Sequence, residues 1–128
     1  MGESSEQFTD KALQLAHEPL NVGELEKPDG LGYIQGSCGD SMWIYLKMEG
    51  SSINEATFIT DGCGATLACG SALTDMIKGQ TLQQVGTFTP LHIIDYLGDL
   101  PASHHHCAEL AIDTLKKAIE GIKHVTKR

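Results

Sequence analysis

The chain has 128 residues, 41% of them hydrophobic, with 9 basic and 17 acidic side chains and a formal net charge of −8. That size and apolar content fit one domain with one core, which needs no metal or disulfide to fold. The acidic balance argues against nucleic acid and anionic membrane surfaces as partners, because both select a basic face.

No stretch reaches 18 apolar residues, so no membrane span is expected. The polar, acidic start Met1–Gln7 lacks the basic and apolar regions of a signal peptide. The expectation is a cytoplasmic protein whose four cysteines, Cys38, Cys63, Cys69 and Cys107, are thiols or metal ligands rather than disulfides.

In chain order, Phe8, Ala12, Leu15 and Ala16 fall at helical spacing, which predicts an amphipathic helix over Ser5–His17, ended by Pro19. Residues 1–20 form the expected mobile N-terminal helix or arm. Glu18–Gly30, with two prolines and two glycines, reads as a loop long enough for binding or docking. Leu31–Cys38 reads as a strand. Gly36-Ser37-Cys38-Gly39-Asp40-Ser41 is a glycine-punctuated turn. Met42, Ile44, Leu46 and Met48 alternate with Trp43, Tyr45, Lys47 and Glu49, the period of a half-buried strand. A turn at Gly50-Ser51-Ser52 leads to a third strand, Ile53–Thr60. Such short connections imply an antiparallel meander.

Asp61-Gly62-Cys63-Gly64 ends that strand. Ala65, Ala68, Cys69, Ala72, Leu73 and Met76 mark one face of a helix closing near Lys78-Gly79. Thr81–Val85 and Pro90–Leu97 read as short helices and Gly98–Pro101 as a break. Ala108, Ala111, Ile112, Leu115, Ala118, Ile119 and Ile122 give the last helix a continuous apolar face. Lys123–Arg128 is a basic tail. The sum is an α+β domain over 1–128, a small three-stranded antiparallel sheet with helices packed on one side.

Three cysteines stand where the backbone changes direction. Cys38 is in the first interstrand turn, Cys63 is just before a helix, and Cys107 is in the first turn of the last helix. Thiolate is the ligand and the nucleophile, and a helix N-terminus favours it, so Cys63 and Cys107 are expected to have lowered thiol pKa values. Asp40, two residues after Cys38, is either an ordinary turn residue or a carboxylate aimed at the same locus. A carboxylate is a harder ligand than a thiolate and holds a soft iron–sulfur centre less firmly, which suits a site that must release its cargo. Of His104, His105 and His106, helical geometry lets at most one act alongside Cys107, and His106 adjoins it. Cys69 falls inside a helix face and reads as a small apolar residue, with an auxiliary thiol as the sharper alternative. No local spacing settles the metal, so residue chemistry alone leaves zinc and an iron–sulfur centre open.

Four runs together resemble the IscU/NifU-type scaffold family (NifU N-terminal-like domain): Ser37-Cys38-Gly39-Asp40-Ser41-Met42, Asp61-Gly62-Cys63-Gly64-Ala65, Lys78-Gly79-Gln80-Thr81-Leu82 and His106-Cys107-Ala108. Asn21-Val22-Gly23 matches that family's entry loop, and the similarity runs from about Asn21 to Glu120. The resemblance implies a scaffold, not an enzyme, for a 2Fe–2S cluster. It implies Cys38, Cys63 and Cys107 as thiolate ligands, Asp40 as the carboxylate that keeps the cluster labile, and His106 as the neighbouring ligand or assembly residue. It also implies sulfur received as persulfide from a cysteine desulfurase of the IscS/NifS type and a finished cluster passed to carrier or acceptor proteins. Cys107 is the expected persulfide acceptor, as an exposed thiolate. A homodimer sharing a cluster stays open. Leu100-Pro101-Ala102-Ser103-His104 departs from the Leu-Pro-Pro-Val-Lys segment with which many members recruit an Hsp70-type chaperone, so that partner is not carried over. The alternative is a zinc-binding sulfur acceptor that stimulates a desulfurase, as in the SufU-like branch. The absence of a sizeable insertion between sheet and helices argues against it.

Overall fold

The computed structural model describes residues 7–37 and 39–126, with backbone only for 123–126. Cys38, the first residues of the expected N-terminal helix and the side chains of the basic tail lie outside the described residues.

Strands β1 (Gly30–Gln35), β2 (Ser41–Glu49) and β3 (Ser52–Thr60) form one antiparallel sheet in the order β1-β2-β3, as the meander pattern requires. Ile44 lies opposite Gly32 on one side and Phe58 on the other. Met42, Ile44, Leu46, Ala56 and Phe58 are all 0% exposed and form the inner face of the core. β1 ends at Gln35, earlier than the sequence suggests. Gly36 N–H donates to Asp40 O and Gly39 N–H to Gly36 O, so these groups close a turn instead of extending the ladder. The outer face is open, with Leu31 and Tyr33 exposed and the Tyr33 and Trp43 rings 4.7 Å apart.

Five helices follow the expected order: α1 (Asp10–His17), α2 (Gly64–Ile77), α3 (Leu82–Val85), α4 (Pro90–Leu97) and α5 (His105–Thr126). α2 and α5 pack on the inner face of the sheet, and α1 and α4 pack against those two helices. α1 starts later than Ser5 because the Thr9 hydroxyl accepts the Ala12 N–H as an N-cap while donating to Leu97 O. Ala12 and Leu15 then bury α1 against α2.

Two glycines set how close the layers come. A Cβ on Gly32 would stand 2.4 Å from both Ala118 N and Thr114 O, so α5 rests directly on the backbone of β1. A Cβ on Gly70 would stand 2.4 Å from the Phe58 ring, so α2 lies close on β3. α2 is buried on nearly every side, including Cys69 at 0% exposure, the small apolar role read from its position.

Residues 18–29, expected to be a docking loop, run as a third neighbour of the sheet. Phe58 N–H donates to Asn21 O, Gly23 N–H to Phe58 O, and Asp29 N–H to Leu46 O. The two bonds to Phe58 satisfy groups on the edge strand β3, and the bond to Leu46 O continues the β1–β2 ladder.

Candidate functional site

The site lies at the rim where β2, the start of α2 and the start of α5 meet. Cys63 is the N-cap of α2, in extended conformation, and is exposed. Burial pushes its thiol pKa up and Asp40 adds repulsion. The backbone N–H and hydroxyl of Thr66 and the N–H of Ala65 favour the thiolate more strongly, so the net pKa is lowered. The sequence expectation for Cys63 is met, by first-turn amide groups that a helix leaves without partners.

Cys107 sits in the first turn of α5, as expected, but it is 1% exposed. The expectation of an exposed Cys107 thiolate is therefore corrected. α5 lies so close to β1 and α2 that the inward side of its first turn is covered. The accessible thiol of the two is Cys63.

Asp40 is half-buried, and its Oδ2 accepts from the Thr66 hydroxyl at 3.2 Å. The same hydroxyl lies 3.4 Å from Cys107 Sγ and 3.8 Å from Cys63 Sγ. Asp40 thus faces the two sulfurs instead of acting as a plain turn residue. Gly62 makes room for it, because a Cβ there would lie 2.8 Å from Asp40 Oδ2 and 2.7 Å from Thr66 Oγ1.

Two of the three histidines lie beside the sulfurs, His106 as expected and His104 in addition. Cys63, His104 and Cys107 place their ligand atoms within 4.8 Å of one another. His104 closes a 3-10 turn over Ala102–His104 ahead of α5, with its N–H on Pro101 O. The turn runs directly into α5, so His104 stands one turn before Cys107 on the same side. Its ring lies 5.1 Å from that of Phe8 and 6.2 Å from that of His106. The His105 ring bonds Leu100 O at 2.8 Å and is held away from the sulfurs. His106 Nε2 is 3.7 Å from Cys107 Sγ. It also lines a hollow of about 220 Å³ with Gln35, Gly36, Glu109 and Asp113. A second cavity, about 270 Å³ and apolar, opens beside Cys63 and His104 between α1 and α2.

Sequence reasoning missed Thr66 and His104. A threonine at the third position of a helix reads as an ordinary buried hydroxyl. A histidine three residues before a cysteine lies on the same face of a helical turn, so the i, i+3 spacing of His104 to Cys107 was the signal that could have found it.

The donor set is soft sulfur with nitrogen and one carboxylate, at the edge of a rigid α+β layer. That chemistry suits zinc and iron–sulfur centres and not magnesium or calcium.

Such a domain is of the metal-cargo type, and comparison with known proteins is specific. Residues 7–128 match the NifU-like N terminal domain family model. The iron-sulfur cluster assembly scaffold protein IscU 1 of Archaeoglobus fulgidus is 38% identical over 113 residues, 88% of this chain and 74% of that protein. The IscU scaffold of Haemophilus influenzae is 36% identical over 121 residues, covering 91% of this chain and 95% of that one. The solved N-terminal NifU-like protein of Brucella abortus superposes with a TM-score of 0.75 at 18% identity, over 91% of this chain and 94% of that one. At that identity it supports the fold alone. The chain belongs to the NifU-like N-terminal family of iron–sulfur cluster assembly scaffolds, and its role is that of a scaffold, not an enzyme.

Proposed function

We propose that this scaffold assembles a 2Fe–2S cluster from iron and desulfurase-derived persulfide sulfur and passes it to acceptor proteins. The observation that carries the reading is the convergence of Asp40, Cys63 and Cys107 on one buried hydroxyl, from three separate elements. Cys38, two residues before Asp40, is the proposed third thiolate, and His104 or His106 the nitrogen donor.

Sulfur enters by thiolate attack on the terminal sulfur of the desulfurase persulfide. The new S–S bond forms on the scaffold and the desulfurase leaves as thiolate. In the resting form the accessible, lowered-pKa thiol is Cys63. Cys107 is then the thiolate to which sulfur passes within the pair. That sulfur needs two electrons to become sulfide, so an electron donor is a required partner. Asp40, as a hard ligand on a soft centre, keeps the product releasable to acceptors with better ligands. A homodimer with a shared cluster belongs to the same reading.

A second reading is favoured by one observation. Two sulfurs and the His104 nitrogen lie within 4.8 Å of one another, donors of the kind that three positions of a zinc site take, which suits a zinc-binding sulfur acceptor. Anaerobic reconstitution with iron and sulfide, read by visible absorbance and Mössbauer spectra, tests the first reading. Zinc without acid-labile sulfide in anaerobically purified protein overturns it in favour of the second.

A further inference from the structure

Threonine and serine hydroxyls buried in a helix ordinarily bond back to the carbonyl one turn earlier or to a neighbouring loop. Three of the buried hydroxyls here follow that habit. Thr74 donates to Gly70 O at 2.7 Å, Thr114 donates to Leu110 O at 2.7 Å, and Ser71 Oγ accepts the Leu20 N–H at 3.0 Å. Thr66 does not. It is 0% exposed, and its hydroxyl lies near Asp40 Oδ2, Cys107 Sγ and Cys63 Sγ. A hydroxyl carries one proton. It can serve the carboxylate at 3.2 Å or the Cys107 sulfur at 3.4 Å, but not both at once.

We propose that Thr66 is the positioning residue of this site, holding Asp40 against the Cys63–Cys107 pair and turning its one O–H from the carboxylate to the Cys107 sulfur as cargo loads and back as it leaves. While the hydroxyl donates to Asp40, the carboxylate is fixed beside the sulfurs. When Asp40 turns to a metal, the hydroxyl turns its O–H to donate to Cys107 sulfur, with the O–H bond intact. A hydrogen bond to a ligating sulfur withdraws electron density from it and tunes the bound centre. The inference rests on the reading of Asp40, Cys63 and Cys107 as cargo ligands.

The test uses the whole chain under anaerobic conditions with cobalt(II) alone as the first probe, comparing Thr66→Val, Thr66→Ala and Thr66→Ser with the unsubstituted protein. The valine variant keeps the shape and loses the hydroxyl. The serine variant keeps the hydroxyl. The sulfur-to-cobalt charge-transfer band is expected to move to lower energy in Thr66→Val and Thr66→Ala, and to return in Thr66→Ser. After iron and sulfide reconstitution, the Thr66→Val cluster should outlive the unsubstituted one roughly fivefold, the scale of one lost hydrogen bond. In an Asp40→Ala background the lengthening should be lost, leaving only any effect carried by the bond to Cys107 sulfur. An unmoved band, a serine variant that behaves like valine, or an undiminished lifetime effect without Asp40 overturns the proposal. A hydroxyl-dependent cobalt band in a chain that takes no cluster leaves Thr66 in its role and removes the scaffold reading instead.

Discussion

The sulfurs of Cys63 and Cys107 lie within 4.8 Å of each other, yet one residue is exposed and the other is 1% exposed. The pair therefore has one open thiol and one covered thiol, with the open one at a helix start that lowers its pKa. Cys69 is fully buried, and burial, with repulsion from Cys107 and Cys63, pushes its thiol far up. Since thiolate is the reactive form, iodoacetamide at neutral pH should alkylate Cys63 before Cys107, and Cys69 only on unfolding. Time-resolved peptide mass spectrometry of the metal-free chain measures the order. Modification of Cys107 ahead of Cys63 would contradict it.

His104, not His106, shares the 4.8 Å group with both sulfurs. Zinc or cobalt affinity should accordingly fall further in His104→Ala than in His106→Ala. The expected loss for His104 is at least about tenfold, the scale on which even an outer hydrogen-bonding partner acts. Competition titration against a chromophoric chelator reads both constants, and equal losses would remove the special place of His104.

Asp40 supplies a hard carboxylate donor beside the thiols. Asp40→Ala should therefore lengthen the life of a reconstituted cluster, followed as the decay of visible absorbance in the presence of a chelator. Decay as fast as in the unsubstituted chain would mean that the carboxylate does not set lability.

Much of this was legible beforehand because it depends on short-range pattern. The period-two run Met42–Met48 gave β2 its inner face, and the spacing from Ala108 to Ile122 gave α5 its buried stripe. The turn motifs around Asp40 and Cys63 marked the rim where the site lies. What stayed hidden depends on long-range packing. The burial of Cys107 follows from how closely α5 lies on β1, which Gly30 and Gly32 permit and no local spacing reveals. The i, i+3 spacing of His104 to Cys107 was there to be read, whereas Thr66 gains its role only once residues 26 and 41 positions away arrive beside it.

Away from the site, the Tyr96 hydroxyl donates to Asp75 Oδ2 at 2.7 Å, tying α4 to α2. Burial first, then this bond and the Asp75 charge, raise the phenol pKa from 10.0 to about 12. The folded chain thus holds the phenol proton more tightly than the unfolded chain. Below pH 10 both forms are protonated and the contribution is intact. As pH rises from 10 towards 12 the unfolded form ionises first, and stability is lost. The urea midpoint should fall across that window, and Tyr96→Phe should flatten the fall. An unchanged slope in the variant would assign the loss to other groups.

The approach of α5 to β1 offers the sharpest test of the fold. At Gly32 a new Cβ would meet Ala118 N and Thr114 O at 2.4 Å and Lys117 Cβ at 2.9 Å. Two of these are backbone atoms of a long helix and cannot turn aside as a side chain can. The helix must move off the strand, loosening the contacts that hold the start of α5, and Cys107 with it, against α2. Gly32→Ala should cost about 1–3 kcal/mol in urea unfolding, the range for overpacking a close contact. It should also speed alkylation of Cys107 relative to Cys63. Gly50→Ala serves as the comparison, since nothing lies within 4 Å of its Cβ and its cost comes only from a φ of +63°. It should destabilise without changing the order or ratio of thiol reactivity. Equal effects of the two substitutions on Cys107 would separate the burial of that thiol from the closeness of helix and strand.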